Sequence, residues 1–321
     1  MLSKPDFAKK QIVFVFTTQG ERVSFSNDNI VVKDSEGKVK HQSTCYRLFL
    51  LCIVGETSIT SGLLQRAHRF GFTICLFNRS MKLYEELGGH MEGNTILHKK
   101  QYEYDGLGIG KHIIINKISN QANALRRIRH RPDSTNETIA TLNDYVKRIQ
   151  TDELDLQQLL GLEGLAARVY FRELFLDLDW TGRKPRIKAD YINSTLDVGY
   201  TVLFNFMDAM LRVYGFDTYY GVLHKQFYMR KSLVCDLVEP FRPLIDWRVR
   251  TAIHLGQCIS DDFEVANRRY LVAWKKSSKY TMLFAKAIMD EKLDIFDYVR
   301  DYYRSVMKGK SIDLFPMFEW A

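Results

Sequence analysis

Glu163 lies in the stretch LLGLEGLAARVYF, a carboxylate among apolar and small residues, flanked by Gly161 and Gly164. A charge on so apolar a helix face is costly to bury unless it is paired or holds a cation. An exposed Glu163, or one paired with Arg168 or Arg172, would satisfy the same residues. His224, in YYGVLHKQFYM, follows an apolar approach and precedes Lys225, Arg230 and Lys231. A lone histidine in that setting is more often a satisfied core residue than a ligand, although its neutral imidazole suits a divalent metal. Asp236 and Glu239, in SLVCDLVEPFRP, stand three residues apart, so a helix turns both to one side. There they repel weakly unless a cation, Arg242 or Arg248 meets them. Pro240 ends or kinks the helix just after Glu239. Together these residues offer two or three carboxylates and one imidazole, a set better suited to Mg²⁺ or Mn²⁺ than to zinc. A metal so held lowers the pKa of an attacking hydroxyl and stabilises the charge of an in-line phosphodiester displacement.

The elements that must position these residues read as two regions. Short β-branched and aromatic runs, QIVFVFTTQ, RVSFSN and NIVVKDSEGKVKH, are punctuated by Gly, Asn and Asp turns and read as strands. YRLFLLCIVGE reads as a buried strand, TSGLLQRAHRFG as a helix stopped by Gly71, and FTICLFN as another strand. GGHMEGN has the glycine content of a linker, and from Thr95 onward the apolar spacing is helical. Helices are expected over 137–149, 153–178, 190–214, 227–240, 245–256, 261–275 and 278–305. The expected fold class is α+β: a small β-rich N-terminal domain over 1–90, a linker near 88–94, and a larger all-α catalytic domain over 91–321.

The formal charge of +8 over 321 residues favours a polyanionic partner, because each neutralised phosphate releases counterions. The aromatic fraction of 13% leaves rings available to stack on unpaired bases. Five cysteines, odd in number and without a CxxC pair, argue against disulfides and against a thiolate zinc site. MLSKPDFAKK lacks the apolar core of a signal peptide, and no apolar run has the length of a membrane span. A cytoplasmic protein without membrane association is expected.

Several separated motifs resemble one family, the first CRISPR-associated protein, the integrase of spacer acquisition. GLEGLAARVYF is similar to that family's Glu-centred helix, and RKPRIKADYINSTLDVGY to its Arg-rich lead into an Asn-x-x-Leu-x-x-Gly-Tyr helix. Lys117, Ile118, Asn120 and Gln121 resemble its Lys-Ile-x-Asn-Gln helix. The run from His224 through Ser232, Asp236, Leu237, Glu239, Phe241 and Arg242 to Pro243 is the strongest match.

The resemblance implies a β-rich domain joined to a helical catalytic domain, with Glu163, His224 and Glu239 as metal ligands and Asp236 as a nearby acid. It also implies attack by the 3′-hydroxyl of a short double-stranded DNA fragment on CRISPR repeat DNA. The same site using water would act as an endonuclease. Homodimers assembled on a dimer of a small companion adaptation protein are implied as partners. Lys225, Arg230, Lys231, Arg242 and Arg248 are the candidate DNA contacts. A branched-DNA repair nuclease, or a DNA-binding scaffold with a degenerate metal site, would draw on the same residues. The tail IDLFPMFEWA matches no role.

Overall fold

A computed structural model describes residues 2–17, 20–89, 93–178, 180–224 and 227–320. After a short helix α1 (Lys4–Ala8), the chain forms β1 (Gln11–Thr17), β2 (Arg22–Ser26), β3 (Asn29–Lys33), β4 (Val39–Thr44) and β5 (Leu48–Gly55). Helix α2 (Ser61–Phe70), β6 (Thr73–Phe77) and β7 (Leu83–Leu87) complete the β-rich region. Strands β1, β5, β6 and β7 make one sheet in that order, parallel except for the last pair. Strands β2, β3 and β4 form a separate antiparallel sheet.

The unbroken apolar run of β5 is explained by burial on both faces. Leu51 and Ile53 join the core shared with the second sheet, whereas Leu50, Cys52 and Val54 face the core of the helices. Helix α2 stops at Gly71, whose φ of 66° is the left-handed cap that glycine takes without strain.

The helical region runs through α3 (Thr95–Glu103), α4 (Gly106–Arg126), α5 (Asp133–Thr151), α6 (Leu156–Leu174) and α7 (Tyr191–Tyr214). It continues with α8 (Ser232–Leu237), a 3₁₀ turn over Glu239–Phe241, and α9 (Arg242–His254). A hairpin of β8 (Phe263–Ala266) and β9 (Arg269–Val272) precedes α10 (Ser277–Asp290) and α11 (Lys292–Lys308). Phe7 of α1 stacks on Phe296 of α11 at 4.8 Å and meets Phe49 edge-on at 5.2 Å, joining the sheet to the helices.

Three of the expected helices need correction. The helix expected over 261–275 is instead the β8–β9 hairpin, and its turn residues Asn267 and Arg268 have φ of 52° and 60°. Two successive positive φ values match the twist of a two-residue hairpin turn. The helix expected over 227–240 begins only at Ser232, and the one over 278–305 breaks between Asp290 and Lys292. The stretch expected as a linker near 88–94 opens on packed backbone. Gly88 and Gly89 have φ of 76° and 66°, and a Cβ on Gly89 would fall 2.6 Å from the Phe72 carbonyl carbon. Residues 90–92 of that stretch lie outside the described residues.

All five cysteines are free thiols, four of them buried. Among the described residues no helix is long and apolar enough to cross a membrane.

Candidate metal centre

Helix α4 brings Lys117 into the interior, with only 10% of its side chain exposed. Its ammonium donates to Glu163 of α6 and lies 2.7 Å from Glu239 Oε2 on the 3₁₀ turn. The second contact is an ion pair within hydrogen-bonding distance, and it helps to keep the buried Glu239 ionised. The other oxygen of Glu239 pairs with Arg242 Nε at 3.0 Å, and the Arg242 guanidinium lies over the Tyr200 ring at 4.6 Å. Glu163 and Glu239, 76 residues apart in sequence, thus converge on one cation. Neither Arg168 nor Arg172 supplies the partner of Glu163; Lys117 does.

Burial pushes the Glu239 carboxyl up, but Arg242 and Lys117 outweigh it and hold its pKa at about 2. Burial likewise works against the Lys117 charge. Glu239 and Glu163 more than offset it, so the ammonium stays protonated above the usual lysine range.

Asp236 has a different role from the one its spacing suggests. It is fully buried on α8; Oδ2 accepts the Val222 and Leu223 amides at 2.5 and 3.1 Å, and Oδ1 accepts the His224 amide at 3.0 Å. The same Oδ1 lies 2.6 Å from His224 Nδ1. A carboxylate only accepts, so Nδ1 is the protonated nitrogen in this contact, and in the neutral imidazole the lone pair is then on Nε2. Asp236 is therefore a positioning residue that fixes the ring and the loop before it. Gly221 permits this approach, since a Cβ there would sit 2.7 Å from Asp236 Oδ2 and 2.6 Å from Ser232 Cβ. Pro240 separates the two acids: Asp236 ends up on α8 facing the 222–224 loop, while Glu239 opens the 3₁₀ turn and faces α4.

The motif around Lys117 positions the turn that carries Glu239. Asn120 Nδ2 donates to the Pro240 and Phe318 carbonyls at 3.0 and 2.8 Å, and its Oδ1 accepts the Trp320 amide at 3.1 Å. Asn116 exchanges two bonds with the Phe318 backbone, and the Phe318 ring packs on Phe241 at 4.4 Å. The tail that matched no role in the sequence is a strap over the helix and turn bearing Lys117 and Glu239.

Among the described residues, no three His, Cys, Asp or Glu side chains surround a common point as a finished cation cage. Two convergent carboxylates and an imidazole whose Nδ1 faces Asp236 are donors of the type a hard divalent ion takes.

The candidate DNA contacts fare unevenly. Lys225 lies outside the described residues. Lys231 pairs with Glu86 of β7 and, at 2.8 Å, with Asp208 of α7, beside Arg212, so its charge serves the joint between sheet and helices. Arg242 belongs to the Glu239 pair. Arg248 reaches Gln257 at 3.4 Å, and Arg230 is half-buried. Sequence reading passed over Phe227, Tyr228 and Met229, which are 75%, 86% and 76% exposed and follow closely on His224. Three consecutive large apolar residues beside polar candidates were the available signal.

Beneath Tyr200 lies Asp246, buried, accepting from the hydroxyls of Tyr200 and Tyr170. Burial raises its pKa to about 6 against the opposing hydrogen bonds and Arg242. A folded pKa above the unfolded value gives a contribution that is full at about pH 4 and lost as pH rises through 6, at most about 3 kcal/mol. Asp246→Asn removes this loss, so its Tm relative to wild type should be higher at pH 7.5 than at pH 4.5. Equal differences at the two pH values would show that Asp246 does not titrate this way.

The family profile described as CRISPR associated protein Cas1 matches residues 14–286. A protein from Thermodesulfovibrio yellowstonii named CRISPR-associated endonuclease Cas1 1 is 27% identical over 277 residues, covering 81% of this chain and 86% of that protein. The fold is shared with a casposase bound to integration product, at TM-score 0.78 and 19% identity over 96% of this chain and 94% of that one. It is shared also with a chain of a Cas6-RT-Cas1–Cas2 complex, at TM-score 0.78 and 20% identity, covering 97% of this chain but 36% of that larger one. A family profile spanning most of the sequence, over a β-rich region followed by helices, places this chain in the Cas1 family of CRISPR-associated proteins.

Proposed function

We propose that this protein is a metal-dependent DNA integrase and endonuclease of spacer acquisition, with Glu163, His224 and Glu239 holding Mg²⁺ or Mn²⁺. The observation that carries the reading is the convergence of Glu163 and Glu239 on one cationic point, with the His224 ring held by Asp236 through a 2.6 Å contact at Nδ1. Bound there, the ion would supply Lewis acidity toward an attacking hydroxyl and the phosphate it attacks.

The chain's own residues prepare that chemistry. Arg242 and Lys117 keep Glu239 ionised, Asp236 holds the imidazole tautomer, and Asn120 with the C-terminal strap fixes the turn. In the joining reaction, the 3′-oxygen of the incoming fragment bonds to phosphorus as the P–O3′ bond of the repeat breaks. The proton lost by the attacking hydroxyl is balanced by the one gained at the released 3′-oxygen. Water in place of the hydroxyl gives cleavage. Exposed Phe227 and Tyr228 suit stacking on bases that flank the reacting phosphate, Met229 adds apolar contact, and Arg230 suits a phosphate contact.

The β-rich region over 1–90 is proposed as the dimerising domain and residues 91–321 as the catalytic domain, assembled with a small companion protein in the cytoplasm. The companion's presence beside a chain of this fold in the Cas6-RT-Cas1–Cas2 complex supports that assembly.

Incubation of a short duplex with supercoiled repeat-bearing plasmid should yield joined, relaxed product with Mn²⁺ or Mg²⁺ and none with chelator. Product formed in chelator, or undiminished by Glu163→Gln, would refute the metal reading. Joining without any dependence on the repeat would favour the branched-DNA repair nuclease.

A further inference from the structure

We propose that Lys117 is a built-in stand-in for the divalent cation: its ammonium holds Glu163 and Glu239 together in the metal-free protein and gives up that place when the metal binds. The inference rests on the reading of those two carboxylates as ligands. The sequence marked Lys117 only as part of a motif; the structure puts its charge between the two acids.

Two carboxylates turned toward one sheltered point repel, and in metal-free protein some cation must meet both. Lys117 does so from a side chain only 10% exposed, opposite Glu239 at 6% exposure. It donates a hydrogen bond to Glu163 and lies 2.7 Å from Glu239 Oε2. Arg242 is paired with the other oxygen, Oε1, so removing the lysine from Oε2 leaves the Arg242 pair standing.

An ammonium and a metal cannot share the point. Lysine needs about 2.8 Å to each oxygen, whereas Mg²⁺ sits about 2.0–2.1 Å away. The flexible four-carbon stem of lysine allows withdrawal without backbone movement. Before metal arrives, the acids are thus ionised, oriented and kept from repelling, at the cost of competition with the incoming ion.

Lys117→Met keeps the stem and removes the charge, and the protein can be examined without DNA or turnover. Without metal, the variant should melt several degrees below wild type, and saturating Mn²⁺ should restore most of the difference. Mn²⁺ titrated by electron paramagnetic resonance should bind the variant about tenfold more tightly. A melting deficit that persists at saturating Mn²⁺, or an affinity equal to or weaker than wild type, would overturn the proposal. Should Lys117→Met not fold, Lys117→Met with Glu163→Gln, which removes the repulsion as well, is expected to fold; failure of both counts against it. If instead Glu163→Gln and Glu239→Gln, each with Lys117 intact, bind Mn²⁺ like wild type, the ligand assignment itself fails and this inference with it.

Discussion

Glu239→Gln is expected to lower metal-dependent joining and cleavage by at least about a thousandfold, equivalent to ~4 kcal/mol of transition-state stabilisation. Glutamine preserves the shape and removes the anion that Arg242 and Lys117 both face. Oε2, the oxygen that faces Lys117, is then part of a neutral amide. The two cations left behind lose a shared partner, a change that costs about 3 kcal/mol in comparable buried pairs. Circular dichroism and the melting temperature separate this stability loss from the loss of rate. Because Glu239 is held at about 2, it is ionised throughout the working range, so the deficit should be the same at pH 6 and pH 9. A variant that keeps a tenth of the wild-type rate at saturating Mn²⁺ would remove Glu239 from the metal site.

How much of this was legible in the sequence depended on whether the responsible interaction was local. The order of a β-rich region and then helices follows from apolar period, and β5 and the Gly71 stop were readable for that reason. The β8–β9 hairpin was missed because most of its residues are exposed or half-buried. No buried face imposes a clean alternation there, and only the Asn267 turn signalled it.

At the site, Glu163, His224 and Glu239 stood out as ionisable groups in apolar runs. The cation between Glu163 and Glu239 did not, because Lys117 lies 46 residues from Glu163 and pairing across that separation leaves no local pattern. Spacing alone put Asp236 and Glu239 on one helix face. Pro240 breaks that expectation by ending α8 and giving the two acids separate partners. The tail was opaque for a similar reason: its bonds to Asn116 and Asn120 span about two hundred residues.

Asp236 offers the second large effect, and two substitutions separate its duties. Asp236→Ala leaves the Val222, Leu223 and His224 amides and the His224 ring without their buried acceptor. Each orphaned amide costs about 1–3 kcal/mol, so a loss of roughly 4 kcal/mol or more is expected, with poor yield of folded protein. Asp236→Asn keeps one acceptor oxygen and should fold with a smaller drop in Tm. Its effect falls on His224: a neutral amide no longer compels the proton onto Nδ1, and the tautomer with Nε2 protonated cannot donate a lone pair to a metal. Mn²⁺ affinity and joining rate should then fall together by about 10–100-fold, the range for loss of a carboxylate behind a ligating histidine. Nitrogen-15 spectra of the His224 ring should show the shift of tautomer directly. If Asp236→Asn left metal affinity and rate within about twofold of wild type, the Asp236–His224 contact would be structural only, and His224 would need another source of its orientation.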